Sequence, residues 1–333
     1  MVSYMDRAKP LLQVENLTTY FFTGEGTAKA VDDVSFFVNE GETVGLVGES
    51  GSGKTVTAFS IMRLIPTPGR IVGGHILLED GTGDILVKRE EEMMKIRGAK
   101  IAMCFQDPFT YLNPLTAVGK QIAEAIKLHR EITDEDAKRD VIALMKSLAI
   151  QSAEERYNAY PHQLSGGMRQ RILLAMAISC EPKLLIADEP TTALDVIAQD
   201  EILNLLKNIR DSLGMALLLI THDLAIASRL CDRLVIMYAG RIMEVGTAQE
   251  IFKQPKHPYT SALLESLPRV RHKVVELKTI EGALPSVVEP PSGCRFHPRC
   301  QFATEACKKE MPELVRVADG HHSACLRVNE IYQ

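Results

Sequence analysis

The stretch TVGLVGESGSGKTVTAFSIMRL at 43–64 decides the fold. Residues 43–47 form a short aliphatic run of strand type, and residues 56–64 have helical character. Between them GESGSGKT at 48–55 satisfies G-x-x-x-x-G-K-[ST] in the strand, loop and helix order that gives the pattern its meaning. Gly48, Gly51 and Gly53 permit tight backbone angles, so successive N–H groups of Glu49, Ser50, Ser52 and their neighbours can face one concavity at a helix N-terminus. A polyphosphate such as that of ATP fits there. Lys54 is expected to bridge β- and γ-phosphate oxygens, and the Thr55 hydroxyl to ligate Mg²⁺. A glycine-rich turn with an exposed lysine is the plainer alternative, and the flanking elements weigh against it.

Outward from this loop, short apolar runs at 34–38, 101–105, 184–187, 216–220 and 234–238 alternate with longer helix-like segments, an α/β layout with buried strands. Between about 107 and 167 the strands stop. Thr133 there opens a helix whose Val141, Leu144, Met145 and Leu148 recur at helical spacing, so a helical insertion of about 107–170 is expected. After about residue 254 the prolines at 255, 258, 268, 285, 290, 291 and 298 exclude long helices and predict a small, loop-rich C-terminal extension. The domain boundary is accordingly placed at 255, with residues 1–255 as the nucleotide-binding part and 256–333 as the extension.

With 333 residues, 46% of them apolar and 24% charged, the chain fits one large domain plus an appendage. Its net charge of −5 provides no positive field for nucleic acid, which is disfavoured as a partner. The apolar stretch at 173–180 is cut by Glu181, Pro182 and Lys183, far short of the roughly 20 residues that cross a bilayer. The N-terminal MVSYMDRAKPLLQVENL has no apolar run followed by a cleavage site, so the cytoplasm is the expected compartment. In that compartment seven cysteines do not read as a disulfide framework.

A second chemical feature is LLIADE at 184–189, a buried apolar strand ending in two carboxylates. Such an end is costly unless a cation or water uses it. Asp188 is placed to hold magnesium through its water shell, and Glu189 to polarise the attacking water as general base. Solvated acids at a strand end are the bland reading, weakened by the phosphate loop upstream.

LSGGM at 164–168, preceded by YPHQ and followed by RQRILLAMAI, closely resembles the signature segment of ABC ATPases, with Met168 in place of the usual glutamine. A Ser-Gly-Gly turn opening a helix is in itself an anion site or a helix cap. The resemblance spans about 11–255 and implies a P-loop NTPase fold of ABC type. It also implies that Ser165, Gly166 and Gly167 bind the γ-phosphate held by the loop of an opposing subunit. By the same resemblance Gln106 touches Mg²⁺ and the lytic water, Asp195 in the loop of Ala193 and Leu194 meets the partner, and His222 contacts the γ-phosphate. Each has a plainer role as cap or surface residue. Of Tyr20, Phe21 and Phe22, where the family stacks a ring on adenine, Tyr20 and Phe21 are the leading choices.

One such chain carries two half-sites and no complete site, so dimerisation is part of the implied chemistry, with ATP closing the pair and hydrolysis releasing it. FQDPFTYLNP at 105–114 matches the surface that in the family receives a coupling helix of the membrane subunit. HPYTSALLESLP at 257–268 resembles the C-terminal extension of importer ATPases of the oligopeptide, dipeptide and nickel branch. EGALPSVVEPPSGCRFHPRC at 281–300 resembles the peptide members more closely than the shorter nickel ones. The resemblance therefore implies an ATPase subunit of a peptide importer at the cytoplasmic face of the membrane. Its implied partners are a paralogous ATPase, two permease subunits and an extracytoplasmic solute-binding protein. Nickel or oligosaccharide import by the same motor is the alternative. A soluble ABC ATPase of DNA repair or ribosomes is disfavoured, because no second cassette, coiled-coil insertion or basic tail is seen.

Cys294, Cys300, Cys307 and Cys325 crowd a segment with little core of its own. No pair sits at the two-to-four-residue separation usual for zinc, and the spacing is not a ferredoxin pattern. A [4Fe–4S] cluster, zinc and free thiols stay open on the residues alone. Similar cysteines in peptide-importer ATPases are associated with a [4Fe–4S] cluster, and the resemblance favours it. Cys104, Cys180 and Cys231 read as small buried hydrophobes.

Overall fold

Leu12, Val14 and Leu17 are fully buried while the residues between them are partly exposed, the alternation of a strand covered on one face. They belong to β1 (Leu12–Thr23), followed by β2 (Gly26–Val38), β3 (Thr43–Val47), α1 (Lys54–Ile61), β4 (Gly69–Leu78) and β5 (Gly83–Asp84). The computed structural model describes residues 10–192, 194–267 and 280–332; Ala193 and Pro268, both quoted above, lie outside the described residues. The chain forms two compact units, one of residues up to 86 and from 219 onward, the other of residues 87–218.

In the first unit β1 pairs antiparallel with both β2 and β4, giving a sheet in the order β2-β1-β4-β5. β3 is buried at all five positions, as a strand covered on both faces must be. The second unit contributes α2 (Glu90–Ile96), β6 (Ile101–Cys104), α3 (Pro108–Tyr111), α4 (Val118–Lys127), α5 (Asp134–Ser147), α6 (Ala153–Arg156), α7 (Gly166–Ile178), β7 (Leu184–Asp188) and α8 (Val196–Leu213). β6 and β7 run parallel, Ile101 opposite Leu184 and Cys104 opposite Ala187. Between these two strands the described residues are helical or irregular. Thr133 caps α5 by accepting from the Asp136 N–H at 3.1 Å, and Val141, Met145 and Leu148 are buried at the expected spacing, with Leu144 half-buried.

β8 (Ala216–Thr221) starts in the second unit and ends in the first. Then follow α9 (Leu224–Leu230), β9 (Arg233–Tyr238), β10 (Arg241–Thr247), α10 (Ala248–Lys253), α11 (Pro258–Glu265), α12 (Glu305–Lys309), β11 (Val315–Ala318), β12 (His321–Ser323) and α13 (Val328–Ile331). Within the first unit the larger sheet runs β11-β12-β10-β9-β3-β8, with β3 parallel to β9. Residues 280–314 carry only α12 and a 3-10 turn at His297–Arg299, in keeping with their prolines. β12 nevertheless pairs with β10, Glu244 opposite Ser323, and the buried Glu244 Oε1 meets His321 Nε2 at 2.7 Å. The edge of the sheet is thus closed by C-terminal strands.

Candidate active site

The phosphate-binding loop leaves β3 at Gly48 and enters α1 at Lys54, with Gly51 at φ 81° and Gly53 at φ 104°. Both angles lie where a side chain is strained. A Cβ on Gly48 would stand 2.1 Å from the Met237 carbonyl oxygen, and one on Gly53 would stand 2.4 Å from that of Ala30. The loop is therefore packed against β9 and β2 too tightly for any residue but glycine. Lys54, 5% exposed, reaches back over the loop: its Nζ donates to the carbonyls of Gly48 at 2.8 Å and Glu49 at 2.9 Å, and lies 3.3 Å from Ser52 Oγ. The ammonium is thus held at the concavity the loop encloses, and Thr55 follows it in the first turn of α1. The Glu49 N–H donates to Tyr259 Oη at 2.9 Å and the Ser52 N–H to the Glu49 carbonyl at 3.1 Å.

In the second unit β7 delivers Asp188, 2% exposed, and the chain turns sharply at Glu189, whose φ of 45° is left-handed. A non-glycine residue held there at a strand end is characteristic of functional turns. Glu189 Oε2 accepts from Gln106 Nε2 at 2.9 Å and from Thr192 Oγ1 at 2.9 Å. The expected base and the glutamine after β6 are thereby brought together. Thr192 was not anticipated as part of this group; it directly precedes the loop of Ala193, Leu194 and Asp195, and no feature of composition singled it out. Burial, and then the negative charge of Asp188, push the Cys104 thiol up to about 12, so it stays a neutral core group.

Ser165 caps α7, its Oγ accepting from the Met168 N–H at 3.3 Å, while Ser165 and Gly166 are exposed. Asp195 caps α8, accepting from Ile197 N–H at 3.0 Å and Ala198 N–H at 2.9 Å. His222, in the first unit after β8, is exposed. Tyr20 and Phe21 lie in β1. The Tyr20 hydroxyl donates to Asp32 Oδ1 at 2.8 Å; burial first, and then this bond, push it up to about 12.

Cys294, Cys300, Cys307 and Cys325 all line one small cavity of about 20 Å³, shared with His257, Phe296 and Phe302. The donor type suits iron or zinc. The separations do not: among the described residues no three His, Cys, Asp or Glu side chains gather closely enough to hold a metal ion, and the void has room for about one water. The expected cluster is thus not formed by this arrangement. Burial pushes the Cys294 and Cys325 thiols up to about 11, keeping them protonated. Cys104 and Cys231 are buried, and Cys180 is half-buried with its thiol raised by burial.

A phosphate loop between a buried parallel strand and a helix, together with an acid-ended strand and a helix-capping Ser-Gly-Gly, defines a P-loop ATPase of cassette type. Residues 31–192 match the ABC transporter family, and residues 243–307 match the C-terminal region of oligopeptide/dipeptide transporters. A probable peptide ABC transporter ATP-binding protein of Sinorhizobium fredii is 45% identical over 98% of this chain and 97% of its own length. The dipeptide transport ATP-binding protein DppD of Escherichia coli is 46% identical over 95% and 96%. The ATP-binding cassette MJ0796, solved as a dimer bound to ADP and Pi, covers 71% of this chain and 98% of its own at 27% identity and TM-score 0.64. The chain belongs to the ABC transporter family as an ATP-binding subunit, an ATPase that powers transport.

Proposed function

We propose that this chain hydrolyses ATP to drive uptake of dipeptides or oligopeptides. In this reading it sits at the cytoplasmic face of the membrane, bound to two permease subunits, paired with a paralogous ATPase and supplied by an extracytoplasmic solute-binding protein. The observation that carries it is that the likeness to proteins named for dipeptide and oligopeptide transport runs nearly end to end, through the C-terminal region at 243–307. Among the described residues no helix is long and apolar enough to cross a membrane, so the path for the solute has to come from partners. The test is ATP hydrolysis by the chain assembled with its permeases in vesicles. Stimulation by peptide-loaded binding protein is expected. Stimulation by nickel or a sugar, and none by peptides, would overturn the cargo assignment.

Within this reading Lys54 and the amides of the loop from Gly48 to Thr55 take the β- and γ-phosphates. Thr55, Gln106 and Asp188 are the oxygen donors assigned to magnesium, and hard oxygen donors suit that ion. Magnesium, when bound, offsets phosphate charge. Glu189 accepts a proton from the attacking water, oriented for it by Gln106. His222 contacts the γ-phosphate. Ser165, Gly166 and Gly167 serve the nucleotide of the opposing subunit, Asp195 meets that subunit, and a ring of Tyr20 or Phe21 covers the adenine. The extension from 256 onward is assigned as a separate functional segment whose four cysteines take a [4Fe–4S] cluster, with zinc the alternative. What supports the cluster is that all four thiols, and no carboxylate, share one cavity.

A further inference from the structure

Glu49, the residue after the first glycine of the phosphate loop, has its polar groups divided between the loop and the C-terminal extension. Its carbonyl receives Lys54 Nζ at 2.9 Å. Its N–H is taken by Tyr259 Oη at 2.9 Å, and its two carboxylate oxygens lie 3.1 and 3.0 Å from Arg299 Nη1. Arg299 is itself pinned: Nη1 also donates to Tyr238 Oη at 3.2 Å, Nε to the Glu281 carbonyl at 2.9 Å and Nη2 to the Ile280 carbonyl at 3.1 Å. Its side chain is 7% exposed. Burial acts to lower its pKa, but the bonds it donates to Tyr238 and Glu49 outweigh burial and leave it above the usual guanidinium value. Tyr259 is fully buried against Tyr238 and Phe296.

A carboxylate at this place is a problem for a loop built to bind a polyanion. Left unpaired it would repel each phosphate charge through a partly dry medium. We infer that Arg299 and Tyr259 are positioning residues of the nucleotide site, Arg299 cancelling the Glu49 charge and Tyr259 fixing the loop's first amide. This rests on the ATP-binding reading of the loop. Arg299 stands directly before Cys300, and the Cys294 N–H bonds the Cys307 carbonyl at 2.9 Å, so the loop that carries the clamp also carries the thiols.

The test is MgATP titration of the purified full chain, with turnover of the assembled transporter read alongside. Arg299→Gln is expected to weaken MgATP binding about tenfold, the size of one partly screened charge. Turnover at saturating MgATP should fall less than about twofold, because Arg299 touches no group assigned to the chemistry. Restoration is the decisive part: Glu49→Gln added to Arg299→Gln should return the affinity to within about threefold of the parent, and Arg299→Lys should keep most of it. Unchanged affinity in Arg299→Gln, or a double variant as weak as the single, would overturn the electrostatic role. Should Arg299→Gln not fold, Tyr259→Phe supplies the measurement. It is expected to speed exchange of the Glu49 amide and weaken MgATP about threefold, and no change in either would equally overturn the inference. A parent chain that binds no MgATP would instead sink the ATP-binding reading itself.

Discussion

Gln106 Nε2 donates to Glu189 Oε2 at 2.9 Å, and the Thr192 hydroxyl donates to the same oxygen at 2.9 Å. Two donors on one oxygen fix the plane of the carboxylate, which a general base needs as much as it needs basicity. Glu189→Gln keeps the size of the side chain and removes the base. It is expected to lower the turnover of the assembled transporter at least about 100-fold while leaving the MgATP dissociation constant within about threefold. Gln106→Ala, which removes one orienting bond, should cost about tenfold in turnover. Unaltered hydrolysis by Glu189→Gln would remove Glu189 from the role of base.

The glycines of the phosphate loop and of the Ser-Gly-Gly turn are chosen for different reasons. At Gly48 a Cβ would lie 2.1 Å from a backbone oxygen that cannot move without shifting β9, whereas at Gly166 the nearest atom, Leu194 Cδ2, is 3.7 Å away. Gly48→Ala should therefore destabilise the chain by about 2 kcal/mol or more, read as a drop in Tm, and lose MgATP binding with it. Gly166→Ala should keep the parent Tm. Equal Tm values for the two would mean that the close approach at Gly48 is not a constraint.

Much of this was legible in the sequence, for physical reasons. β3, β7 and β9 are buried throughout, so apart from the polar end residues Thr43, Asp188 and Arg233 each reads as a short apolar run. Glycines with forced angles and a buried lysine have fixed spacing along the chain, which is why 48–55 could be read before any fold was known. The Tyr259, Arg299 and Glu49 contact joins residues 250 apart, as the Arg299 to Glu49 pair measures. Nothing in a single sequence reports such a pairing. The pairing of β12 on β10 was hidden likewise, because HHS at 321–323 has neither the length nor the apolar content of a strand.

The four cysteines supply a test with three distinct outcomes. As arranged they line a cavity of about 20 Å³, and burial pushes the Cys294 and Cys325 thiols up to about 11. No three of them stand close enough to hold a metal ion, so a [4Fe–4S] cluster would require the segment to rearrange and the thiols to lose their protons. Protein purified without oxygen is expected to be brown, with about four iron and four sulfide per chain. Cys300→Ser should lose the metal and loosen the segment around 294–307. Colourless protein with about one zinc per chain would assign the site to zinc, and protein with neither would leave the quartet as packed thiols.

His257 gives the chain a pH dependence whose sign can be worked out. It caps α11, its Nδ1 accepting from the Tyr259 N–H at 3.0 Å, and it is 1% exposed. Burial, only partly opposed by a hydrogen bond to the Ala324 backbone, brings it down to about 3 from an ordinary value of 6.5. The native state therefore leaves this ring neutral while the unfolded chain takes up a proton below 6.5. Stability is fully present above pH 6.5 and is lost as the pH falls toward 3, at up to about 1.4 kcal/mol per pH unit. His322 is lowered in the same direction, chiefly by burial. Asp32 is held low by the Tyr20 hydroxyl and Arg241 despite burial, and adds its loss only in the carboxylate range below. Between pH 6.5 and 5 the histidines should dominate. Urea midpoints at pH 7.5, 6 and 5 are expected to fall steadily for the parent. His257→Asn keeps a capping acceptor and does not titrate, so it should flatten the fall and leave the smaller part due to His322. A slope unchanged in His257→Asn would show that the acid sensitivity arises elsewhere in the chain.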